Sequence, residues 1–594
     1  MRICAVESKH LLFVRRAFRW GMVALPKGMA AAERVLSKLP LQDVCLSEHH
    51  GGLRLEGEAE NYEQIIDAGK AAVRFSYKGV INDIRLKGFS EPPMRAPAVR
   101  DASLHNLEVD VLVIGGGVIG CAIARELKRY DVSVMLLEKE ADVAMHTSSR
   151  NDGMIHPGTA ANPSTLKARL NVRGNAMYTE LAKELQLPFK RTGNLVVYNN
   201  PLLTVPFRAF FLSRCLRLGV EGRFVPKNQL FALEPNLRTD AAGGYFSPSA
   251  GVLSPYLLTV ALAENAVENG VKIALETAAE SMVLENGRIA GVVTNRGTIR
   301  PRVVVNAAGA FADKVAEMAN DRFFSIHPRK GELVILDKKK GGLIKTCLSL
   351  VSASQRHATT KGGGMIPTID GNILVGPDAY EQPYRETYDT NAGHVAAILK
   401  KHLPLIRGVS EQDVITYFSG VRAATYEEDY VLERSCYVKN LVHAAGIQSP
   451  GLASAPAIAQ DVAKLALEAL PHTAQKNASF NPNRRAYPDL SRMSFSQKQQ
   501  VIQNNPDYGV IVCRCEGVSK GEIIDAIRSP VPALSLDAIK RRVRPGMGRC
   551  QGGFCSPSVT KLIAQYGGVK ITDVTKKGVG SALLVEKTHK GEQP

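Results

Sequence analysis

The sequence has few residues of several kinds, and each shortage excludes a class of protein. One tryptophan and an aromatic content of 6% offer no stacking platform for nucleic-acid bases, and the basic residues are dispersed. Ten cysteines in 594 residues are too few for a disulfide scaffold. No run of about 18 apolar residues occurs, so no transmembrane helix is expected. We therefore expect no nucleic-acid partner and a cytoplasmic protein, with at most peripheral contact at the inner face of a membrane.

Length and charge limit the number of domains and the kind of partner. At about 100–200 residues per domain, 594 residues correspond to roughly three to five domains. The apolar content of 45% and charged content of 22% are those of a globular protein. The net charge of +18 suits an anionic partner, substrate or cofactor without choosing among them. Residues 8–32 contain no acid, which fits either a basic N-terminal extension or a targeting segment.

The chain divides into segments by composition and periodicity. An alternating strand pattern turns at Gly51 and Gly52, a helix starts near Tyr62, and a strand follows Gly79 and Val80. This strand–helix–strand unit resembles a BON-type domain. We predict a basic extension at 1–34, the BON-like α+β unit at 35–92, linkers at 93–108 and 471–508, a large α/β region at 109–470, a cysteine module at 509–570 and a tail at 571–594.

The strongest motif is a glycine turn between a strand and a helix. The apolar stretch 109–114 runs into Gly115, Gly117 and Gly120, and a second apolar stretch ends in Glu138, 18 residues after the last glycine. Gly115 permits a tight turn, Gly117 lets the backbone approach a pyrophosphate, and Gly120 lets the helix pack on the strand. Glu138 would accept hydrogen bonds from a ribose. NAD and FAD both satisfy this pattern.

Three further motifs favour FAD. Residues 145–158, 303–310 and 440–452 read MHTSSRNDGMIHPG, VVVNAAGA and NLVHAAGIQSPGL, and with them the chain resembles the D-amino-acid-oxidase-like superfamily. The resemblance implies an α/β fold in which a Rossmann-like FAD-binding domain carries an inserted antiparallel sheet for the substrate. It also implies that FAD contacts Thr147, Ser148, Asn151, Gly153, Gly309, Gly446, Gln448, Gly451 and Leu452.

Four cysteines near the C-terminus form a separate motif. Cys513 and Cys515 are followed, after 34 intervening residues, by Cys550 and, after four more intervening residues, by Cys555. Four thiolates with this spacing can surround one metal centre; a zinc knuckle remains an alternative, although paired zinc cysteines are more often two residues apart, and disulfides are a weaker one. The segment resembles the bacterioferritin-associated-ferredoxin-like (BFD-like) domain, a small helical unit that binds a [2Fe–2S] cluster through these cysteines.

Three residues are candidates for substrate chemistry. His156 could act as general base near the flavin, or only pack against it. Arg422 could hold a substrate phosphate or carboxylate, or form a structural salt bridge. Lys330 is the weakest of the three, because a lysine at the start of a strand is usually only solvated.

Two enzyme families resemble the whole pattern. The order of flavin domain and cluster is similar to that in anaerobic glycerol-3-phosphate dehydrogenase, whereas the stretch from His156 to Pro163 and the stretch around Arg191 are closer to L-2-hydroxyglutarate dehydrogenase. The resemblance implies an FAD-dependent dehydrogenase of a small anionic hydroxyl substrate, with glycerol 3-phosphate favoured. Electrons would leave through the cluster to an acceptor protein or a quinone. A 2-hydroxy acid or amino acid substrate, or an electron-transfer component without a substrate, is the alternative.

Overall fold

The computed structural model describes residues 28–351 and 362–586. The first part is a small α+β unit, as predicted, although its first helix begins before residue 35. Its helices are Met29–Leu36 and Tyr62–Ala72, and its strands are Gln42–His49, Gly52–Ala59 and Val80–Leu86. The first two strands form a hairpin and the last two pair in parallel. Membership of the BON family stays a prediction.

This N-terminal unit packs closely on the rest of the chain. A Cβ atom on Gly69 would lie 2.2 Å from the Tyr426 ring, and one on Gly79 would lie 2.4 Å from the Phe323 carbonyl. The side-chain Nδ2 of Asn82 also donates to the Tyr426 hydroxyl at 3.0 Å. Only glycine fits at both contacts.

A parallel sheet with two antiparallel extensions forms the base of the predicted Rossmann-like domain. Along one path the strands follow in the order Lys272–Ala274, Val134–Leu137, Glu108–Ile114, Gly297–Asn306, Arg288–Thr294 and Ala279–Glu285. Leu441–Ala445 pairs with the carboxyl end of Gly297–Asn306, and Val431–Arg434 pairs with Leu441–Ala445. The pairs between the first four strands, and that of Gly297–Asn306 with Leu441–Ala445, are parallel. These parallel strands are almost continuously apolar because helices cover both faces. The covering helices are Val118–Leu127, Leu166–Glu184, Pro255–Glu268, Ala312–Met318 and Gly451–Glu468.

A second, nine-stranded sheet is inserted between these elements. Its strands are Asn194–Tyr198, Arg223–Pro226, Gly243–Ser247, His327–Leu336, Cys347–Val351, Gly364–Pro367, Ile373–Gly376, Tyr380–Glu381 and Val414–Ala424. The sheet is antiparallel as predicted except for one pair, Cys347–Val351 with Asn194–Tyr198, which is parallel. Helices Thr204–Leu218, Lys227–Leu233 and Ala392–His402 pack against it, and a small sheet of Met154–Ile155, Phe189–Arg191 and Gly251–Leu253 joins it to the first domain.

The C-terminal module is helical, as predicted. It contains strands Ile511–Cys513 and Val518–Ser519 and helices Lys520–Ile527, Leu536–Val543 and Ser556–Gly567, around its own apolar core. Ser519 and Glu522 form a capping box that starts the first of these helices. The predicted tail packs on the module, because Val574 is fully buried and Thr575 pairs with Ser535.

The two predicted linkers are packed segments. Within 471–508, Arg484 forms a buried ion pair with Glu264 at 2.6 Å, and helix Phe495–Asn504 follows. In 93–108, the Arg95 amide donates to Glu386 at 2.8 Å. Short 3-10 turns complete the secondary structure, at Val73–Phe75, Thr147–Ser149, Pro201–Leu203, Gly309–Phe311, Lys338–Leu343, Leu403–Leu405, Glu411–Asp413, Leu490–Arg492, Pro506–Gly509 and Ile571–Asp573. Among the described residues no helix is both long and apolar enough to cross a membrane.

Candidate active site

Two adjoining cavities lie where the parallel strands end. They share Gly117, Thr147, Ser148, Ala307 and Gly309 in their walls, so they form one bent cleft. The first cavity extends under the nine-stranded sheet and the second extends over the carboxyl ends of Glu108–Ile114 and Val134–Leu137. Ligands of open α/β sheets bind at this edge.

The glycine turn has the shape of a phosphate cradle. Gly115 has a φ of +115°, and a Cβ atom there would lie 2.4 Å from the Ala307 carbonyl. A Cβ atom on Gly120 would lie 1.9 Å from the Gly115 carbonyl, so the helix can approach the strand only with glycine. Gly117 lies in the wall of both cavities at the start of helix Val118–Leu127. The turn therefore leaves open backbone where a pyrophosphate would lie.

Glu138 lies in the second cavity, where a ribose-binding carboxylate is expected. Its Oε2 accepts from the Gly116 amide at 2.8 Å and its Oε1 accepts from the Glu140 amide at 2.9 Å. Burial raises the pKa of this carboxyl group above its ordinary value. The backbone bonds hold the side chain in one orientation beside the glycine turn.

The loop after Glu138 contains four of the predicted cofactor residues in two different settings. The Ser148 hydroxyl accepts from the Val118 amide at 2.9 Å, and the Thr147 hydroxyl donates to the Val421 carbonyl at 2.6 Å. Asn151 closes the loop by donating to the Thr147 carbonyl and accepting from the Gly153 amide. Thr147, Ser148 and Asn151 line the cleft, whereas Gly153, at a φ of +67°, serves the turn behind it.

The remaining predicted cofactor residues lie on the opposite wall. Gly309, Gln448, Gly451 and Leu452 line the first cavity, and Gly451 and Leu452 begin helix Gly451–Glu468. Gly446 is behind the wall, where a Cβ atom would lie 2.7 Å from Thr425. The first turn of a long helix thus faces the cavity with its positive end.

His156 and Arg422 both line the first cavity. The His156 carbonyl accepts from the side-chain amides of Asn171 and Asn175 at 2.7 and 2.9 Å, which fixes the backbone that carries the imidazole. Arg422 Nη2 donates to the Asp378 carbonyl at 3.1 Å, and its buried Nη1 has no hydrogen-bond partner among the described residues.

The charge on Arg422 is destabilised in this structure. Burial lowers the pKa of its guanidinium, and the positive charge of Arg329, its partner across the two strands, lowers the pKa further. An anion bound at Nη1 would relieve both effects. The first cavity therefore offers a buried cation with free donor capacity beside an imidazole.

Lys330 does not line either cavity. Its Nζ donates to Asp389 at 2.8 Å, and its side chain is buried rather than solvated. Neighbouring residues of a strand point to opposite faces, so Lys330 and Gly331 cannot both face the cavity, and it is Gly331 that does.

The structure adds cavity residues that the sequence analysis missed. Arg150 and Asp152 line the first cavity next to the predicted Asn151, and the Arg150 guanidinium stacks over Tyr388 at 4.3 Å. The second cavity is walled in part by Glu91 and Met94, at the edge of the segment predicted as a linker. The charges of Arg150 and Asp152 within the loop motif could have indicated them as site residues. Nothing in the proline-rich sequence around Glu91 and Met94 indicated a cavity wall.

The four cysteines of the C-terminal module form two close pairs. Cys515 and Cys550 Sγ lie 3.5 Å apart, and Cys513 and Cys555 share a hydrogen bond. All four are free thiols, so the disulfide alternative is not realised. A Cβ atom on Gly548 would lie 2.4 Å from Cys515 Cβ, so glycine lets the two cysteine loops approach each other closely. The gathered sulfurs fit a bound metal centre.

The module is fixed to the flavin-type domain by buried polar contacts. Asp142, a short distance after Glu138, accepts from Arg541 at 2.7 Å and from both Arg542 nitrogens at 2.9 Å. Arg544 donates to the Tyr256 hydroxyl at 3.1 Å, one residue into helix Pro255–Glu268. These contacts hold the cysteine module against the first domain.

Comparison with known families agrees with this arrangement. A model described as FAD dependent oxidoreductase matches residues 110–465, and one described as BFD-like [2Fe-2S] binding domain matches residues 511–565. The chain belongs to the FAD dependent oxidoreductase family. This confirms the predicted FAD fold and cluster domain, and decides for a [2Fe–2S] cluster over zinc.

Individual relatives share most of this oxidoreductase's length. It is 38% identical over 482 residues to a glycerol 3-phosphate dehydrogenase of Caloramator mitchellensis, covering 81% of this chain and 98% of the relative. Identity to one of the subunits of the anaerobic glycerol-3-phosphate dehydrogenase of Haemophilus influenzae is 24% over 534 residues, or 83% and 90% of the chains. L-2-hydroxyglutarate dehydrogenases are also related.

The solved structures agree on the fold. The FAD-bound L-alpha-glycerophosphate oxidase of Mycoplasma pneumoniae aligns with a TM-score of 0.59 and 25% identity, over 64% of this chain and 99% of that one. The oxidoreductase is thus an FAD-dependent dehydrogenase with a [2Fe–2S] domain for electron transfer.

Proposed function

We propose that this oxidoreductase oxidises glycerol 3-phosphate at the first cavity. The observation that supports the proposal is the buried Arg422 Nη1, which lines the cavity without a hydrogen-bond partner among the described residues. A phosphate or carboxylate is the group that satisfies such a donor best. Among the relatives, those covering most of the chain carry glycerol 3-phosphate in their names.

The roles of the chain's residues follow from their positions. Arg422 binds the anionic end of the substrate and so sets which carbon lies deepest in the cavity. His156 accepts the proton of the reacting hydroxyl, because an imidazole is the side chain that takes a proton near neutral pH. Lys330 positions the strand through Asp389, whose carbonyl accepts from the Ser419 hydroxyl at 2.9 Å.

The cofactor residues complete the site. When bound, FAD accepts two electrons from a C–H bond and the cluster passes electrons on singly. FAD is held by Gly115, Gly117, Glu138, Thr147, Ser148, Asn151, Gly309, Gln448, Gly451 and Leu452, with Gly120, Gly153 and Gly446 shaping the turns behind them. The cluster is held by Cys513, Cys515, Cys550 and Cys555.

A 2-hydroxy acid such as L-2-hydroxyglutarate is the second candidate substrate. The stretch after His156 reads PGTAA, whereas the resemblance to anaerobic glycerol-3-phosphate dehydrogenase implies an arginine and a tyrosine near the phosphate at its last two positions. Arg422 would bind a carboxylate equally well. Between the two, the relatives' coverage favours glycerol 3-phosphate.

The acceptor and the location are also proposals. The relatives among the anaerobic glycerol-3-phosphate dehydrogenases, which are named as subunits, support an electron-accepting partner protein in a complex. Peripheral contact with a membrane is supported by helix Thr204–Leu218, whose exposed Val205, Leu212 and Leu216 form an apolar stripe with exposed arginines and no acid.

Anaerobic substrate titration tests the proposal. Glycerol 3-phosphate should bleach the flavin absorbance of the purified enzyme, whereas glycerol, which has the same hydroxyls without the charge, should not at equal concentration. Bleaching by L-2-hydroxyglutarate alone would favour the second candidate. If none of a panel of hydroxy acids, amines and glycerol 3-phosphate bleaches the flavin, the chain acts in electron transfer without a substrate of its own.

A further inference from the structure

The surface around the four cysteines has an unusual distribution of charge. Two loops and one turn frame it, at 511–517, 544–555 and Lys338–Leu343. Their single acid is Glu516, whose side chain is 2% exposed. Their exposed or half-exposed bases form what we call the basic rim, which consists of Lys338, Lys339, Lys340, Arg514 and Arg549.

The ion pairs of the rim are asymmetric. Lys338 pairs with Glu516 at 2.7 Å and is 38% exposed while the acid is buried. Arg549 lies 3.5 Å from Asp337, and the two side chains are 68% and 14% exposed. In each pair the acid is turned inward and the base faces solvent, so the pairs leave a positive outer surface rather than a neutral one.

An exposed apolar side chain lies next to the cluster ligands and contacts the basic rim. Phe554 is 68% exposed and directly precedes Cys555, and Arg514 stacks over its ring at 5.2 Å. Cys515 and Cys550 are themselves exposed. An exposed aromatic ring beside exposed basic side chains is typical of a transient protein interface.

We propose that the basic rim is the docking surface for an acidic one-electron carrier protein. The proposal rests on the electron-transfer function of the module and names the kind of partner it takes. On each encounter the reduced enzyme loses one electron and a ferric haem or equivalent centre in the carrier becomes ferrous, without transfer of a proton. Charge complementarity selects a protein with a negative surface, because an uncharged quinone would gain nothing from the rim.

Two haem proteins of opposite surface charge test the rim. The holoenzyme is reduced with dithionite, so that the substrate plays no part, and is freed of excess dithionite by anaerobic gel filtration. It is then mixed with acidic cytochrome b5 or basic cytochrome c in a stopped-flow instrument. Cytochrome b5 should react faster at low ionic strength, slow as salt is added, and bind the oxidised enzyme measurably by calorimetry. Cytochrome c should show the opposite salt dependence and no binding.

Charge-changing variants test whether the basic rim itself causes the faster reaction with cytochrome b5. Lys339→Glu combined with Arg549→Gln should lower the rate with cytochrome b5 about tenfold at low salt, at the lower end of what electrostatic steering provides. Arg85→Glu is the control for a change of net charge away from the rim, because Arg85 is 78% exposed on the N-terminal unit. The control should keep the wild-type rate and binding.

Three outcomes would overturn the proposal. The first is a double variant that binds and reduces cytochrome b5 as the wild type does. The second is an equal loss in Arg85→Glu, which would reflect overall charge. The third is an equal loss toward an uncharged benzoquinone, which would show damaged electron transfer rather than weakened docking. Failure of glycerol 3-phosphate as substrate would leave all these measurements unaffected.

Discussion

Asp142 is the residue whose replacement should separate the two halves of this enzyme. Its carboxylate is 1% exposed and accepts three hydrogen bonds from Arg541 and Arg542, of which Arg542 is fully buried. Asp142→Asn keeps the shape but leaves two guanidinium groups without their counter-charge. Removing one partner of a buried ion pair costs about 3–5 kcal/mol. That cost corresponds to a weakening of the docked state by roughly a hundred- to several-thousand-fold.

The expected result is a module that undocks while the flavin site still works. Anaerobic stopped-flow should show the flavin of Asp142→Asn bleached by substrate at the wild-type rate, with slowed appearance of the reduced cluster. Limited proteolysis should cut within 471–508, which is packed in the wild type. Glu180→Gln is the control, since its pair with Lys183 is exposed and contributes at most about 1 kcal/mol.

The pH dependence gives the same prediction an independent check. Burial alone would raise the pKa of Asp142, but Arg542 and Arg541 hold it below its ordinary value. A carboxyl group with a lowered folded-state pKa stabilises the docked state above its unfolded pKa of about 3.9 and loses that contribution as the pH falls through the folded pKa. Docking should therefore persist at pH 5–8 and fail in stronger acid. If Asp142→Asn transfers electrons and resists protease like the wild type, the ion pair does not hold the module.

Three further predictions concern the cavity and the cluster. His156→Asn should retain FAD but slow flavin reduction by about 10²–10⁴-fold, as measured by anaerobic stopped-flow, and an unchanged rate would exclude His156 as the base. Arg422→Lys should raise the substrate KM more than it lowers kcat, because the second donor is lost; a KM equal to that of the wild type would place the anion elsewhere. Cys550→Ser should leave flavin reduction intact and abolish the electron paramagnetic resonance signal of the reduced cluster, and full reduction of cytochrome b5 by this variant would take the cluster off the pathway.

The fold was predictable where one local rule determined it. The glycine motif predicted the strand, the helix and the following acid, because only glycine at position 120 allows the helix to approach the strand closely. The cysteine spacing likewise predicted the C-terminal module. The parallel pair of Cys347–Val351 with Asn194–Tyr198 was missed, since it joins strands about 150 residues apart and no local pattern encodes their direction.

The site was predictable only in part, for a related reason. A motif shows that Arg422 and Lys330 lie near the substrate sheet, but the strand register decides which one faces the cavity. Register depends on the packing of both faces, so it is not contained in either residue's neighbours. The two segments read as linkers show the same limit, because their polar composition hides buried ion pairs such as Arg484 with Glu264.

Arg544 shows how the parts are held as one enzyme. It adopts a left-handed backbone with a φ of +73°, which is unfavourable for a residue with a side chain. The same residue donates to Tyr256 of the flavin domain, to Asp370 of the substrate sheet at 2.6 Å and to Glu516 beside Cys515 at 2.8 Å. Glycine would relieve the backbone but lose all three contacts. The strained backbone of Arg544 is therefore maintained by its three contacts, which join the cluster module to the flavin domain and to the substrate sheet.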